Sequence, residues 1–144
     1  MPIIIKCRKE GLYLKIIVKF FDNEIIDAIG GGIYKISVQR KDQEIETLYI
    51  GESFSMIIRC ATHLYTLNKT PEYFGFSKDT IEDSNTSLIV EILEQETNTI
   101  TRKQKEKAFI KEYNPIMQSG ISDRMNSIED KISALEEFLN YEKL

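Results

Sequence analysis

Five side chains in this sequence are of types that together could hydrolyse a phosphate ester. Tyr34 and Tyr49 carry phenol hydroxyls, Glu106 carries a carboxylate, and Arg59 lies four residues before His63, so that the two would share a helix face. Hydrolysis of a phosphodiester needs an activated water, stabilisation of the developing charge and help for the leaving oxygen. A guanidinium offers planar, bidentate donors to a phosphate, and a carboxylate can hold a hard divalent cation.

Tyrosine is an unusual general base, because its unperturbed pKa is about 10. A nearby cation favours the phenolate, and Arg59 could supply that charge. Each residue also has a plainer interpretation. Tyr34 shares a predicted strand face with Ile36 and Val38 and could be a core aromatic, and Glu106 stands among lysines with which a helical glutamate usually forms ion pairs. Only the ordered set favours chemistry.

The order of these residues resembles that of the GIY-YIG nuclease family. The matching pattern is Gly32-Ile33-Tyr34, Tyr49-Ile50-Gly51, Arg59 with His63, and Glu106 with Ile110 ahead of Pro115. The resemblance extends from Gly32 to about Gln118. It implies an α/β (α+β) fold with a small, three-stranded, antiparallel or mixed central sheet flanked by helices.

The resemblance also implies a metal-dependent endonuclease that hydrolyses DNA phosphodiester bonds, as restriction, repair and phage or mobile-element nucleases of the family do. One of Tyr34 and Tyr49 would be the general base, and the other would orient the phosphate. Arg59 would clamp the scissile phosphate, and His63 would contact it or relay a proton. Glu106 would hold Mg²⁺ or Mn²⁺.

Three further residues complete the predicted substrate site. Lys103 and Lys107 belong to a basic run beside Glu106, although such a run is usually a solvated helix face. Gln118 stands where the family has an asparagine. Glu52 departs from the family, which commonly has a lysine or a neutral polar residue after Tyr-Ile-Gly. Because a carboxylate there would repel a phosphate, the alternative function is a catalytically weak or inactive module that binds nucleic acid or protein.

Local patterns predict the elements that would position these residues. Short apolar, β-branched runs predict strands over residues 3–7, 12–21, 33–38, 47–51 and 88–93, and a helix would also fit 12–21. Helices are predicted from Ser53 or Ser55 to about Tyr65, and from Thr99 or Thr101 to Tyr113. Asp22 is predicted to cap a short helix over 24–29, and residues 68–86 are predicted to be a long irregular connection.

The C-terminal stretch has a different pattern, with an apolar stripe in heptad register at Ile121, Met125, Ile128, Ile132, Leu135 and Leu139. It predicts a long amphipathic helix that either packs on its own domain or forms a homodimer. We therefore expect an N-terminal extension over residues 1–30, a nuclease-like domain over 31–120 and this helix over 121–144.

Composition narrows the class of protein. Apolar residues make up 42% of the 144 residues and charged residues 29%, which is ordinary for a globular domain. The net charge of −4 argues mildly against an avid, non-specific nucleic-acid binder. Cys7 and Cys60 suggest neither a disulfide framework nor a zinc site, which favours a cytoplasmic protein. No apolar run is long enough to span a membrane, and no P-loop, Gly-x-Ser-x-Gly or Gly-x-Gly-x-x-Gly pattern indicates another enzyme class.

Overall fold

The computed structural model describes residues 3–9, 12–69 and 86–118, with side chains from Ile16 onward. The described chain is a mixed α/β structure, as expected. Its elements are β1 (Ile3–Lys9), β2 (Leu12–Phe20), a 3-10 turn (Asp27–Ile29), β3 (Gly32–Gln39), β4 (Glu46–Ser53), α1 (Met56–Lys69), β5 (Ser87–Gln95) and α2 (Thr99–Tyr113).

One mixed sheet contains all of the described strands, in the order β1-β2-β5-β3-β4. β3 pairs antiparallel with both β4 and β5, and these three strands form the predicted three-stranded unit. The sheet has five strands instead of three, because β2 pairs in parallel with β5 and brings β1 with it. The N-terminal residues therefore share a sheet with the predicted nuclease-like domain.

Residues 12–21 form a strand and not the alternative helix. Ile16, Val18 and Phe20 are buried, whereas Ile17 and Lys19 between them are exposed. This alternation has the period of two that places successive strand side chains on opposite faces of a sheet. Pairing of Val18 with Leu88 then extends the hydrophobic core across β5.

Helix α1 covers the face of the sheet that carries the main hydrophobic core. The core includes Tyr34 and Ile36 from β3, Val90 from β5, and Cys60 and Leu64 from α1. The cores of small domains are built by such burial of one sheet face against one helix face. α1 begins after Ser55, whose carbonyl oxygen accepts the Arg59 N–H at 3.2 Å, and it extends to Lys69, beyond the predicted end near Tyr65.

Helix α2 lies against β3 and β4. Its N-cap is Asn98, not Thr99 or Thr101, because the Asn98 side chain accepts the Thr101 N–H at 2.9 Å. Asn114 ends the helix in the left-handed conformation, with φ of 48°. Asparagine tolerates this conformation better than most residues, and Pro115 cannot continue the helix.

Two other predictions have different outcomes. Asp22 does not cap a helix over 24–29; only a 3-10 turn forms there, preceded by Ile26 without a capping side chain. Most of the predicted irregular connection and the whole amphipathic helix with its possible dimer contact (residues 70–85 and 121–144) lie outside the described residues. Among the described helices, none is long and apolar enough to cross a bilayer.

Candidate functional site

Pairing of β3 with β4 brings the two predicted catalytic tyrosines together. Tyr34 lies opposite Gly51, and Tyr49 lies opposite Ile36. The ring centroids of Tyr34 and Tyr49 are 6.2 Å apart, and the planes are tilted by 46°. Both rings belong to the core beneath α1, where Tyr34 has no exposed surface and Tyr49 is 8% exposed.

Helix α1 adds the predicted arginine and histidine to this cluster. Arg59 and His63 lie one turn apart on α1, and both are buried. The Tyr34 hydroxyl lies 2.8 Å from His63 Nε2, within hydrogen-bonding distance. The Tyr49 ring meets the imidazole edge-on, with 5.1 Å between centroids. We call Tyr34, Tyr49, Arg59 and His63 the core cluster.

The glycine of the Tyr-Ile-Gly motif makes room for this cluster. A Cβ at Gly51 would collide with the Tyr34 hydroxyl and would lie 2.5 Å from Tyr34 Cζ and 2.8 Å from Tyr49 Cε1. Real Cβ atoms essentially never approach other heavy atoms within 3.0 Å. Gly51 is therefore required by the close approach of the two rings.

Burial sets the protonation state of the ionisable groups on α1. Desolvation, and then the charge of Arg59, hold the pKa of His63 well below its usual value. The imidazole is therefore neutral at pH 7. Burial raises the pKa of the Cys60 thiol, against a smaller lowering by Arg59, so this thiol stays protonated. Cys60 is thus a core residue and not a nucleophile.

Glu106, the predicted metal ligand, lies at the outer edge of β4. The half-buried carboxylate accepts a hydrogen bond from the backbone N–H of Glu52. Burial, and then the negative charge of Glu52, raise the pKa of Glu106, whereas this backbone hydrogen bond, and then the charges of Lys103 and Lys107, lower it. The two lysines are exposed, in keeping with a solvated helix face.

The carboxylate of Glu52 has a partner that the sequence did not indicate. Arg102 is only 5% exposed, and its Nε forms an ion pair with Glu52. Arg102 also donates from Nη1 to the Thr97 carbonyl at 3.4 Å. The sequence offered no signal for this pairing, because Glu52, Glu106 and Arg102 come together only in the fold.

Gln118 reaches β4 from the segment that follows α2. Its side-chain amide accepts the Ile50 N–H at 3.0 Å and donates to the Ile50 carbonyl oxygen at 2.9 Å. The structure thus places Gln118 against the strand backbone, next to Tyr49. No sequence pattern distinguished this contact from the predicted contact with substrate.

The predicted site is therefore divided between two places. Alternation along β4 directs Tyr49 and the Gly51 position towards α1, and Ile50 and Glu52 towards α2. The core cluster lies on the first side, and Glu106 lies with Gln118 along the strand's outer edge. Within residues 16–69 and 86–118, no three His, Cys, Asp or Glu side chains are grouped as metal ligands.

Comparisons with protein-family models, with curated proteins and with solved structures found no match for this chain.

Proposed function

We propose that this protein is a metal-dependent endonuclease of the GIY-YIG type that hydrolyses DNA phosphodiester bonds. The observation that supports it best is the hydrogen bond between Tyr34 and His63, formed beside Tyr49 and the buried cation Arg59. A protein needing only a packed core has little use for two phenols, an imidazole and a guanidinium in one place, because burying such polar groups costs free energy.

In the proposed reaction, a water oxygen attacks phosphorus while the bond to the leaving oxygen breaks. Tyr34 is the proposed general base, and its hydroxyl is held in place by the hydrogen bond with the neutral His63 imidazole, 2.8 Å from Nε2. Arg59 favours the phenolate and binds the phosphate oxygens as their charge grows. Tyr49, the more exposed tyrosine, would orient the phosphate.

The metal ion would be held by Glu106. This carboxylate lies near a second one, Glu52, whose charge raises the pKa of Glu106, so a cation there would relieve their repulsion. Mg²⁺ commonly binds through one or two carboxylates and keeps several waters, so this small donor set fits it. When bound, the ion would stabilise the charge on the leaving oxygen. Lys103 and Lys107, exposed beside Glu106, are the proposed contacts to the DNA backbone.

The test is cleavage of supercoiled plasmid by the full chain with Mg²⁺, and with Mg²⁺ plus excess EDTA. We expect nicked or linear product with Mg²⁺ alone, and at least a hundredfold slower cleavage by Glu106→Ala and Tyr34→Phe. Glu112→Ala is the matched control, because Glu112 is an exposed glutamate on the same helix. Folded wild-type protein that leaves plasmid and RNA intact with Mg²⁺ and Mn²⁺ would refute the proposal.

The second candidate is a binding module that keeps this fold without catalysis. Complete burial of Tyr34 and His63 favours it, because a catalytic base must reach the attacking water. This module would bind a labelled DNA duplex without cutting it, and the double variant Lys103→Ala/Lys107→Ala would weaken the binding and its dependence on salt.

A further inference from the structure

The outer edge of β4 is covered by groups that do not belong to a strand. An edge strand presents a row of N–H and C=O groups with no strand partner. Here the Ile116 N–H donates to the Thr47 carbonyl at 3.1 Å, and the Met117 N–H donates to the Leu48 carbonyl at 2.9 Å. The segment after α2 therefore runs beside β4 and delivers Gln118 next to Ile50.

At Ile50, the side chain of Gln118 takes the place that a neighbouring strand would occupy. A primary amide has one acceptor oxygen and one donor nitrogen. The Oε1 atom of Gln118 accepts the Ile50 N–H at 3.0 Å, and Nε2 donates to the Ile50 oxygen at 2.9 Å. Both groups that Ile50 directs away from β3 are thus satisfied, as a paired strand residue would satisfy them.

Ile50 is the residue through which these two hydrogen bonds from Gln118 would act on the core cluster. It lies between Tyr49, whose ring meets His63, and Gly51, against which the Tyr34 hydroxyl packs. Because a Cβ at Gly51 has no room, a displacement of the Ile50 peptide by a few tenths of an ångström would change the contact between β4 and the Tyr34 ring.

We infer that Gln118 is a positioning residue: it clamps the Ile50 peptide and so fixes Tyr49 and Gly51 against Tyr34 and His63, instead of contacting the phosphate. Both ends of its amide are engaged by Ile50. The effect on cleavage rests on the proposed function, whereas the clamp itself does not.

The first arm of the test measures amide hydrogen exchange in the full chain by NMR. Gln118→Met keeps the length of the side chain and removes both hydrogen bonds. Gln118→Glu keeps the acceptor for the Ile50 N–H and, when ionised, loses the donor. Gln104→Met is the matched control, because Gln104 is an exposed glutamine on α2. We expect exchange of the Ile50 amide to be about tenfold faster in Gln118→Met, with smaller acceleration in Gln118→Glu and none in the control.

The second arm uses His63, the single histidine of the sequence, as a reporter of the core cluster. The imidazole signals of His63 should shift in Gln118→Met and stay in place in Gln104→Met. In plasmid cleavage, kcat should fall about tenfold or more in Gln118→Met with KM little changed, because the clamp acts on geometry and not on binding.

The outcomes separate the clamp from the proposed function. Unchanged Ile50 exchange and unchanged His63 signals in folded Gln118→Met would overturn the inference. A rise in KM with constant kcat in Gln118→Met would also overturn it, because it would mean that Gln118 contacts the phosphate of the substrate. If the wild-type protein cleaves nothing, the nuclease proposal fails, and the exchange and His63 signals still decide whether Gln118 positions β4.

Discussion

The hydroxyl of Tyr34 and Nε2 of His63 lie 2.8 Å apart, in a place where neither side chain has any exposed surface. Strand β3 supplies the tyrosine and helix α1 the histidine, so their hydrogen bond joins the sheet to the helix. A hydrogen bond between buried polar groups is costly to break on one side only, because the remaining group stays desolvated. The pair therefore contributes to folding whatever else it does.

The neutral His63 should make stability depend on pH. In the unfolded chain this histidine takes up a proton below about pH 6.5, whereas the native pKa is held well below that value by burial and by Arg59. Between the native and unfolded pKa values only the unfolded state binds the proton, so stability falls as pH falls, by up to about 1.4 kcal/mol per pH unit.

The measurement is urea unfolding at pH 7.5, 6.5 and 5.5. Because His63 is the sole histidine, the variant His63→Gln should lose this part of the pH dependence while the carboxylate contributions remain. Identical slopes for the two proteins below pH 6.5 would mean that native His63 is protonated as easily as in the unfolded chain.

Gly51→Ala should be poorly tolerated. The new Cβ would meet the Tyr34 hydroxyl and lie 2.5 Å from Tyr34 Cζ, so one of the rings or the strand must move. Overpacking of this kind costs about 1–3 kcal/mol. Thermal unfolding monitored by circular dichroism should show a clear decrease in Tm.

Gly30→Ala is the matched control for Gly51→Ala. The nearest atom to a Cβ at Gly30 is the Asp27 oxygen at 3.8 Å, and its φ of −81° suits alanine. Its Tm should stay close to that of the wild type. Tyr34→Phe removes the atom in the closest contact but also breaks the hydrogen bond with His63, so the loss caused by Gly51→Ala should be smaller in a Tyr34→Phe background than in the wild type. Equal loss at both glycines would show that Tyr34 does not limit the space at Gly51.

The sequence predicted the individual strands better than their pairing in the sheet. Strands over 33–38, 47–51 and 88–93 were found within two residues of their observed bounds, because short β-branched runs between polar breaks are strong local signals. The parallel pairing of β2 with β5 could not be predicted from such local signals. Parallel pairing depends on a contact between residues about 70 apart, such as Val18 and Leu88, and leaves no local pattern.

The grouping of the predicted site residues could be read from the sequence only in part. Spacing on one helix placed Arg59 with His63, and the tyrosine motifs followed the paired strands. The partners at the strand edge were missed. Arg102 pairs with Glu52, which lies 50 residues away in sequence, and Gln118 binds a backbone peptide. Such pairings depend on tertiary packing, which the spacing of residues along the sequence does not reveal.

Arg102→Met should destabilise the protein because it removes the cation paired with Glu52 and leaves that carboxylate beside Glu106. Removal of one partner of a buried ion pair typically costs 3–5 kcal/mol, and about 3 kcal/mol is expected here since Glu52 keeps some exposure. Lys103→Met, an exposed neighbour on the same helix, should change stability little. Urea unfolding measures both.

The double variant Arg102→Met/Glu52→Gln tests the reason for that loss. It removes both charges, so it should be more stable than Arg102→Met alone. If the double variant is less stable than the single one, the hydrogen bond from Arg102 to the Thr97 carbonyl carries the effect and the pairing with Glu52 does not.

Glu106→Gln should stabilise the metal-free protein at neutral pH. Burial and then the charge of Glu52 raise the native pKa of Glu106, whereas in the unfolded chain it stays at about 4.3. Above the native pKa the carboxylate is ionised in both states, and the native state carries the full electrostatic penalty. The advantage of the amide should therefore be largest near pH 7, shrink as pH falls through the native pKa, and vanish below about pH 4.3.

Thermal unfolding in EDTA at pH 7, 5.5 and 4 measures this dependence, with Glu112→Gln as an exposed control on the same helix. Millimolar Mg²⁺ at pH 7 should then raise the Tm of the wild type and of Glu112→Gln above that of Glu106→Gln, because an ion bound only by the native state raises Tm. The Tm of Glu106→Gln should not respond to Mg²⁺. One outcome would separate the two claims: a higher Tm for Glu106→Gln in EDTA, with no response of the wild-type Tm to Mg²⁺ or Mn²⁺. It would mean that Glu52 repels the Glu106 carboxylate, as the raised pKa of Glu106 indicates, and that the proposed metal site is wrong.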